Sequence, residues 1–140
     1  MGPGGALTKA LPEFKRRTLD GATFDTARTR GRVTVVKFFA KYCEPCKRSL
    51  PWLQRFAAEH RDVLVLGIAE DERESEVRDL VATFGLTFPI VHDTGNVLWG
   101  RFRASEMPLT FVADRHGRIR WVGGPAQTEG DLEAAVSASR

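Results

Sequence analysis

Cys43 and Cys46 are the only thiols in the chain, and two residues separate them in Lys41-Tyr42-Cys43-Glu44-Pro45-Cys46-Lys47. An apolar run from Val33 to Ala40 leads into this stretch, and Leu50, Leu53 and Phe56 lead out of it at helical spacing. The pattern predicts a strand that ends just before Cys43 and a helix that begins there, with Cys46 one turn inside. The first backbone N–H groups of a helix point outward without partners, and the macrodipole favours negative charge beside them. That placement favours a thiolate, the species that attacks disulfides. A pair at this spacing between a strand and a helix reads as a redox-active dithiol.

The same two residues could form half of a zinc site or a pair of inert buried thiols. A structural zinc needs about four ligands. No second cysteine pair exists, and His60, His92 and His116 are scattered without paired spacing. Redox chemistry is therefore the first reading, with no metal and no organic cofactor expected.

The 140 residues are the length of a single domain. A hydrophobic content of 42% is enough for a packed core, and 28% charged residues suits a soluble protein. No apolar run approaches the ~18 residues of a membrane span. Residues 1–10 lack the apolar stretch of a signal peptide, and Gly2-Pro3-Gly4-Gly5 reads as a linker or cloning remnant. We therefore expect a linker over 1–10 and a domain over 11–140, with any export signal or membrane anchor outside this chain. The net charge of +3 is uneven: residues 1–55 hold 12 Lys/Arg against 4 Asp/Glu, and residues 56–140 hold 9 against 14. A basic face could steer an acidic partner or an anionic membrane surface, although a solvated surface without a partner is the simpler reading. Without basic residues interleaved with aromatics, nucleic-acid binding is not expected.

The elements that must position the cysteines follow in chain order. Leu11-Pro12-Glu13-Phe14 is a short extended lead-in, because the residue before proline avoids the helical region. Asp20-Gly21, between Thr18-Leu19 and Thr23-Phe24, predicts the turn of an N-terminal β-hairpin. Arg32 to Phe39 and Val63 to Ala69 read as strands buried on both faces. The helix between them should run to about Ala58, kinked at Pro51, and the strand–helix–strand order implies a right-handed parallel crossover. Val77, Leu80, Val81 and Phe84 predict a second helix ending near Gly85. A short extended piece at Phe88 to Val91 follows, then a short helix at Val97, Leu98 and Phe102. Leu109 to Ala113 and Ile119 to Val122 are strands joined by a glycine-containing loop. Thr128 and Asp131 resemble a capping box, opening a last helix with Leu132, Ala135 and Val136 inward. The fold class is α/β, a mixed central sheet with helices on both faces and an N-terminal hairpin extension.

Val35-Val36-Lys37-Phe38-Phe39-Ala40-Lys41-Tyr42-Cys43-Glu44-Pro45-Cys46-Lys47, with Pro51 five residues beyond, resembles the active site of a thioredoxin-like fold. Leu11-Pro12-Glu13-Phe14, Leu19-Asp20-Gly21, the insertion Glu70 to Phe84, and Met107-Pro108-Leu109-Thr110-Phe111-Val112 narrow the resemblance to the TlpA/ResA branch. That branch comprises extracytoplasmic thiol–disulfide oxidoreductases, usually membrane-anchored, and the resemblance covers about residues 11–136. It implies a Cys43/Cys46 dithiol–disulfide cycle, with Tyr42, Glu44 and Pro45 completing the motif and a cis Met107–Pro108 bond facing the cysteines. Tyr42 stands where the branch usually has Trp. Lys37 stands where thioredoxins carry a buried acid that relays protons, which leaves a relay there in doubt. A glutamate from the insertion is the substitute the resemblance suggests, with Glu72 as the first positional match and Glu70 next. We expect the Lys37 head to reach solvent or a carboxylate near Cys46.

The expected function is a monomeric reductase that acts on specific extracytoplasmic protein disulfides and draws electrons from an upstream donor. In this branch partners include apocytochrome c haem-site cysteines, the cytochrome c maturation role, and metalloprotein thiols. Cys43 should be exposed at the helix tip and act as nucleophile, with Cys46 shielded and closing the disulfide. A DsbA-type oxidant or isomerase is the first alternative, and a copper-binding chaperone the alternative of another class. Copper chaperones of this fold use C-x-x-x-C and a downstream histidine, a spacing this chain lacks. A peroxiredoxin would want Thr at the position of Ala40.

Overall fold

The computed structural model describes residues 3–140. Seven strands and four α-helices follow in the order β1 (Lys15–Arg17), β2 (Thr23–Asp25), β3 (Thr34–Phe39), α1 (Glu44–Glu59), β4 (Leu64–Ala69), α2 (Glu74–Phe84), β5 (Ile90–His92), α3 (Val97–Arg101), β6 (Leu109–Ala113), β7 (Ile119–Gly123) and α4 (Glu129–Ser139). The central sheet has the order β5-β4-β3-β6-β7. β3 pairs in parallel with β4, and β4 with β5, while β6 runs antiparallel to β3 and to β7. The sequence expectation of a mixed sheet holds, and no helix of the described residues is long and apolar enough to cross a membrane.

Every residue of β3 and β4 is buried. Central strands covered on both faces read as unbroken apolar runs for this reason. Alternate residues of β3 feed two cores. Val35 and Phe39 join Leu50, Leu53 and Phe56 of α1, Val77 and Leu80 of α2, and Leu132 and Val136 of α4. Val36 and Phe38 face the opposite side, with Phe14, Phe24, Leu98, Phe102 and Phe111. There the rings of Phe38 and Phe102 lie 5.1 Å apart between centroids, edge to face, an arrangement aromatic quadrupoles favour. Helices therefore cover both faces: α1, α2 and α4 on one, and α3, helped by the β1–β2 hairpin, on the other.

Local signals set the helix ends. Thr128 Oγ1 accepts the Asp131 N–H at 3.1 Å, and the Asp131 carboxylate accepts the Thr128 N–H at 3.0 Å, the expected capping box of α4. α2 stops at Gly85, whose φ of 61° lies in the left-handed region that glycine enters without strain. α1 continues through Pro51 to Glu59.

Two N-terminal expectations change. The first hairpin strand is Lys15–Arg17, not Thr18-Leu19, because Thr18 belongs to the turn. Its hydroxyl donates to the Asp20 carboxylate, and the next residue, Leu19, gives its N–H to Ile90 O at 2.9 Å. The turn thereby ties the hairpin to the sheet edge at β5. Residues 8–10, expected within a linker, instead follow β7: Thr8 N–H donates to Ile119 O at 2.7 Å, Ile119 N–H to Lys9 O at 2.8 Å, and Ala10 bridges Arg118. Met1 and Gly2 of the expected linker lie outside the described residues.

Gly67 in β4 is a packing requirement of the first core. A Cβ there would stand 2.8 Å from Phe39, 3.0 Å from Phe88 and 3.2 Å from Ile90. We expect Gly67→Ala to cost about 1–3 kcal/mol, the usual penalty of overpacking. Urea unfolding should show a lower midpoint with an unchanged slope.

Candidate active site

The site is built where β3 ends and α1 begins. Cys43 is the N-cap of α1, outside the helical dihedrals at φ −97° and ψ 104°, with Glu44 and Pro45 in the first turn. Proline is tolerated there because its missing N–H would have had no partner. The Cys46 N–H donates to Cys43 Sγ at 3.3 Å. Cys43 and Cys46 are joined as a disulfide with their Cα atoms 5.3 Å apart. Cys46 is fully enclosed. Cys43, expected to be exposed, is only 9% accessible at the helix tip.

Around this tip, Tyr42 is largely exposed at 67%. Its phenol is pushed above the usual tyrosine range, first by burial and then by the carboxylates of Asp71 and Glu70. The Met107–Pro108 bond is cis, as expected. Pro108 is buried, and Met107 packs against the core cluster that contains both cysteines. A cavity of about 80 Å³ opens between α1 and this loop, lined by Pro45, Ser49, Trp52, Pro108, Pro125 and Gln127, with Arg48 also on its wall. Ser49, buried one turn beyond Cys46, donates its hydroxyl to Cys46 O at 2.9 Å. Glu44 is exposed and receives Lys47 Nζ at 3.2 Å.

The loop before Cys43 is held from β4. The Asp71 carboxylate accepts the Lys41 N–H with both oxygens, at 2.9 and 3.1 Å. His92 Nε2 donates to Asp71 O at 2.6 Å. Glu70 next to it accepts from Asn96 Nδ2 at 2.6 Å through Oε1, while its Oε2 is buried without a partner. Burial, then the neighbouring Asp93 carboxylate, pushes the Glu70 carboxyl up to about 8. Asp93 caps α3 through the N–H groups of Leu98 and Trp99, each at 2.9 Å, and Arg16 of the hairpin approaches it at 4.0 Å. Burial also raises the Asp71 carboxyl.

Two expectations change here. Glu72, ranked first as a substitute carboxylate, is exposed on the lead-in to α2, whereas Glu70 is enclosed at the end of β4. The reason is where the chain leaves the sheet: Glu70 directly follows β4 and still gives its N–H to Phe39 O at 2.9 Å, and the chain has turned outward by Glu72. Lys37 reaches neither solvent nor a carboxylate. It is fully enclosed, its Nζ has no hydrogen-bond partner, and it lies 4.7 Å from the centre of the Trp52 ring. Desolvation lowers the amine to about 7. The central strand carries no glycine-made gap beside it through which a four-carbon stem could escape: its cross-strand neighbours are Gly67, itself closed by Phe39, and Thr110, whose hydroxyl donates to Gln127 Oε1 at 2.7 Å.

Sequence reading missed Asp71, Asp93, Asn96, Ser49, Trp52 and Gln127. Asp93 had a detectable signal, an aspartate opening Asp93-Thr94-Gly95-Asn96 before a helix. The others become functional neighbours only through tertiary packing. Among the described residues no group of three or more His, Cys, Asp and Glu side chains is placed to hold a metal ion. His60 instead stacks on Phe56, 4.2 Å between ring centres.

The sequence matches the AhpC/TSA family over residues 7–122. It is 24% identical over 115 residues to the thiol–disulfide oxidoreductase ResA of Bacillus thuringiensis, covering 81% of this chain and 66% of that protein. To ResA of Geobacillus kaustophilus it is 26% identical over 130 residues, covering 91% and 75%. The chain thus spans about two thirds to three quarters of the length of these curated relatives. Among solved structures, a secreted Mycobacterium tuberculosis disulfide oxidoreductase homologous to Escherichia coli DsbE superposes with a TM-score of 0.83 at 27% identity, over 90% of this chain and 96% of that one. These relatives agree with the resemblance carried by the cysteine motif, the insertion and the late proline. With a thioredoxin-like fold and a family match across most of its length, the chain belongs to the AhpC/TSA family.

Proposed function

We propose that this protein is a thiol–disulfide oxidoreductase that reduces disulfides of specific partner proteins outside the cytoplasm. The single observation that carries the reading is the Cys43–Cys46 disulfide seated on the N-terminus of α1, with the Cys46 N–H aimed at Cys43 Sγ. The relatives' names, which include thiol–disulfide oxidoreductases and a secreted disulfide oxidoreductase, support the activity and the location.

Cys43 is the nucleophile. In the reduced protein its sulfur lies against the helix N-terminus, where N–H donors and the macrodipole stabilise a thiolate. The thiolate attacks one sulfur of a partner disulfide, and the partner's other sulfur leaves. Cys46 then attacks Cys43 Sγ, the mixed disulfide breaks, and the partner departs reduced. Met107 and the cis Pro108 flank the approach, where backbone groups can pair with an extended partner segment. Glu70, enclosed at the C-terminal end of β4 with a carboxyl that burial pushes up to about 8, is the carboxylate proposed to exchange protons during the cycle. Electrons return from an upstream dithiol donor. Cytochrome haem-site cysteines and metalloprotein thiols are the partner classes the reading names.

The direct test is a trap. Cys46→Ala should leave Cys43 able to form a mixed disulfide but unable to resolve it, so partners stay covalently attached and can be identified. Cys43→Ser should capture none. Capture through Cys46 alone would reverse the assignment, and a wild-type pair that neither accepts nor gives electrons to protein disulfides would sink the activity.

A second expectation concerns pH. The folded protein holds the Glu70 proton up to about 8, whereas the reference value is 4.5. Between those values the folded state binds more protons than the unfolded state, so this group makes stability fall as pH rises. Glu70→Gln should remove that part of the fall. Urea unfolding of the oxidised protein should show the variant gaining on wild type from acid to mildly alkaline pH. A constant difference across that window would mean the carboxyl is ionised throughout.

A further inference from the structure

Among the described residues, two buried side-chain atoms lack a hydrogen-bond partner, Lys37 Nζ and Glu70 Oε2. Glu70 belongs to the exchange cycle proposed above. Lys37 does not, and its position is costly. A buried ammonium without a counter-charge is strongly disfavoured, and an apolar side chain on this central strand would avoid the penalty. The surroundings offer no fixed anion. β4 contributes Gly67, which has no side chain, and β6 contributes Thr110, a hydroxyl already committed to Gln127. α2 sends Val77 and Leu80 into this core. The three α4 carboxylates lie outside it: Glu129 pairs with Arg55, Asp131 accepts the Thr128 N–H, and Glu133 is exposed. From α1 come the Trp52 ring, 4.7 Å from Nζ, and Cys46, fully enclosed in the same face of the sheet; Arg48 stays exposed at the cavity wall. Asp71 and Glu70 turn away, to Lys41 N–H and Asn96. The titratable groups that share this enclosed face with Lys37 are therefore Cys43 and Cys46, which carry no charge while they are bonded to each other, and Cys46 is the more deeply buried of the two.

We propose that Lys37 is a positioning residue for the buried cysteine: from the α1 face of the sheet, which it shares with Cys46, its amine takes up a proton when the pair opens, so that its charge holds the Cys46 sulfur as a thiolate. The inference rests on the oxidoreductase reading and adds the group that couples proton uptake to electron uptake. The balance is complete with a dithiol donor. Its two thiols become a disulfide and supply two electrons and two protons. The Cys43–Cys46 bond breaks, one proton is carried by Lys37 as ammonium opposite the Cys46 thiolate, and the other stays on Cys43 until its sulfur ionises at the helix N-terminus, when it passes to solvent. In the reverse direction Cys46 attacks without first having to lose a proton, and the ammonium gives up its proton as the anion disappears. An amine titrating near neutrality can make this change at little cost in either state, and the Trp52 face steadies the cation while it lasts. The two ionisations are reciprocal: whatever the ammonium does to the Cys46 midpoint, the thiolate does to the Lys37 midpoint.

The test uses the whole chain, oxidised and reduced, with the ¹³Cε shift of Lys37 and the ¹³Cβ shift of Cys46 followed against pH. The Lys37 midpoint should rise by about one unit or more on reduction, the range an adjacent opposite charge produces. In Lys37→Met, an uncharged side chain of similar length, the Cys46 midpoint should rise by a matching amount. The equilibrium with a dithiol redox buffer should shift about tenfold toward the disulfide, a potential about 30 mV lower. A merely structural role for Lys37 would leave the Cys46 midpoint and the potential where they are. Equal Lys37 midpoints in both redox states, or an unmoved Cys46 midpoint in the variant, overturn the proposal. The Lys37 titration is read in wild type, so it decides the question even where the variant is poorly folded. Failure of the wild-type arm to exchange with any dithiol would be seen separately and would remove the oxidoreductase reading itself.

Discussion

The Cys46 N–H pointing at the Cys43 sulfur from inside the first turn of α1 is the contact on which the rest of the structure depends. It exists only if a helix N-terminus is held still at the end of a buried strand. The parallel β3–β4 pair supplies that geometry, since the chain must cross over between them and α1 is the crossover. Leu50, Leu53 and Phe56 fasten the helix to the sheet, and Asp71, just past β4, fastens the loop before Cys43 through the Lys41 N–H. The helix tip is thus fixed from two strands and along one face. Its unpaired donors are left with one place to point.

Much of this is legible in the sequence because the signals are periodic or chemically singular. Continuous apolar runs mark β3 and β4, and a helical repeat with two cysteines at its start marks α1. The Thr128 and Asp131 cap and the Gly85 stop are local hydrogen-bonding requirements, which the structure meets as written. The late Met107-Pro108 pair was readable only through resemblance, since a single X-Pro bond carries little local information about cis or trans. The family match over residues 7–122 and the shared fold agree with the resemblance.

What the sequence did not reveal depends on distant contacts. Glu70 and Glu72 are indistinguishable in composition. One is enclosed and the other solvated because the chain leaves the sheet between them. Thr18 reads as strand by propensity, but its hydroxyl finds Asp20 and draws it into the turn, the competition by which short polar side chains divert backbone from a ladder. Residues 8–10 read as linker from composition, yet the free edge of β7 accepts them. An exposed edge offers unpaired donors and acceptors to whatever extended chain lies beside it.

The treatment of Lys37 and Glu70 has a common logic. They carry opposite charges when ionised, yet they do not meet. Strand alternation sends Lys37 into the α1 face with Val35 and Phe39, while Glu70 turns to Asn96 and Asp93 beside α3. Had they paired, each would have fixed the other's charge, pushing the amine up and the carboxyl down, away from neutrality. Separated by the sheet, both feel desolvation as the leading influence, and it drives each toward its uncharged form: the amine to about 7 and the carboxyl to about 8. Two groups that ordinarily titrate far apart are thereby brought to the same pH range on opposite faces of one sheet. An ion pair would have held both charges fixed. Two isolated buried groups remain responsive, and the sheet that keeps them apart is the one that also carries the helix tip.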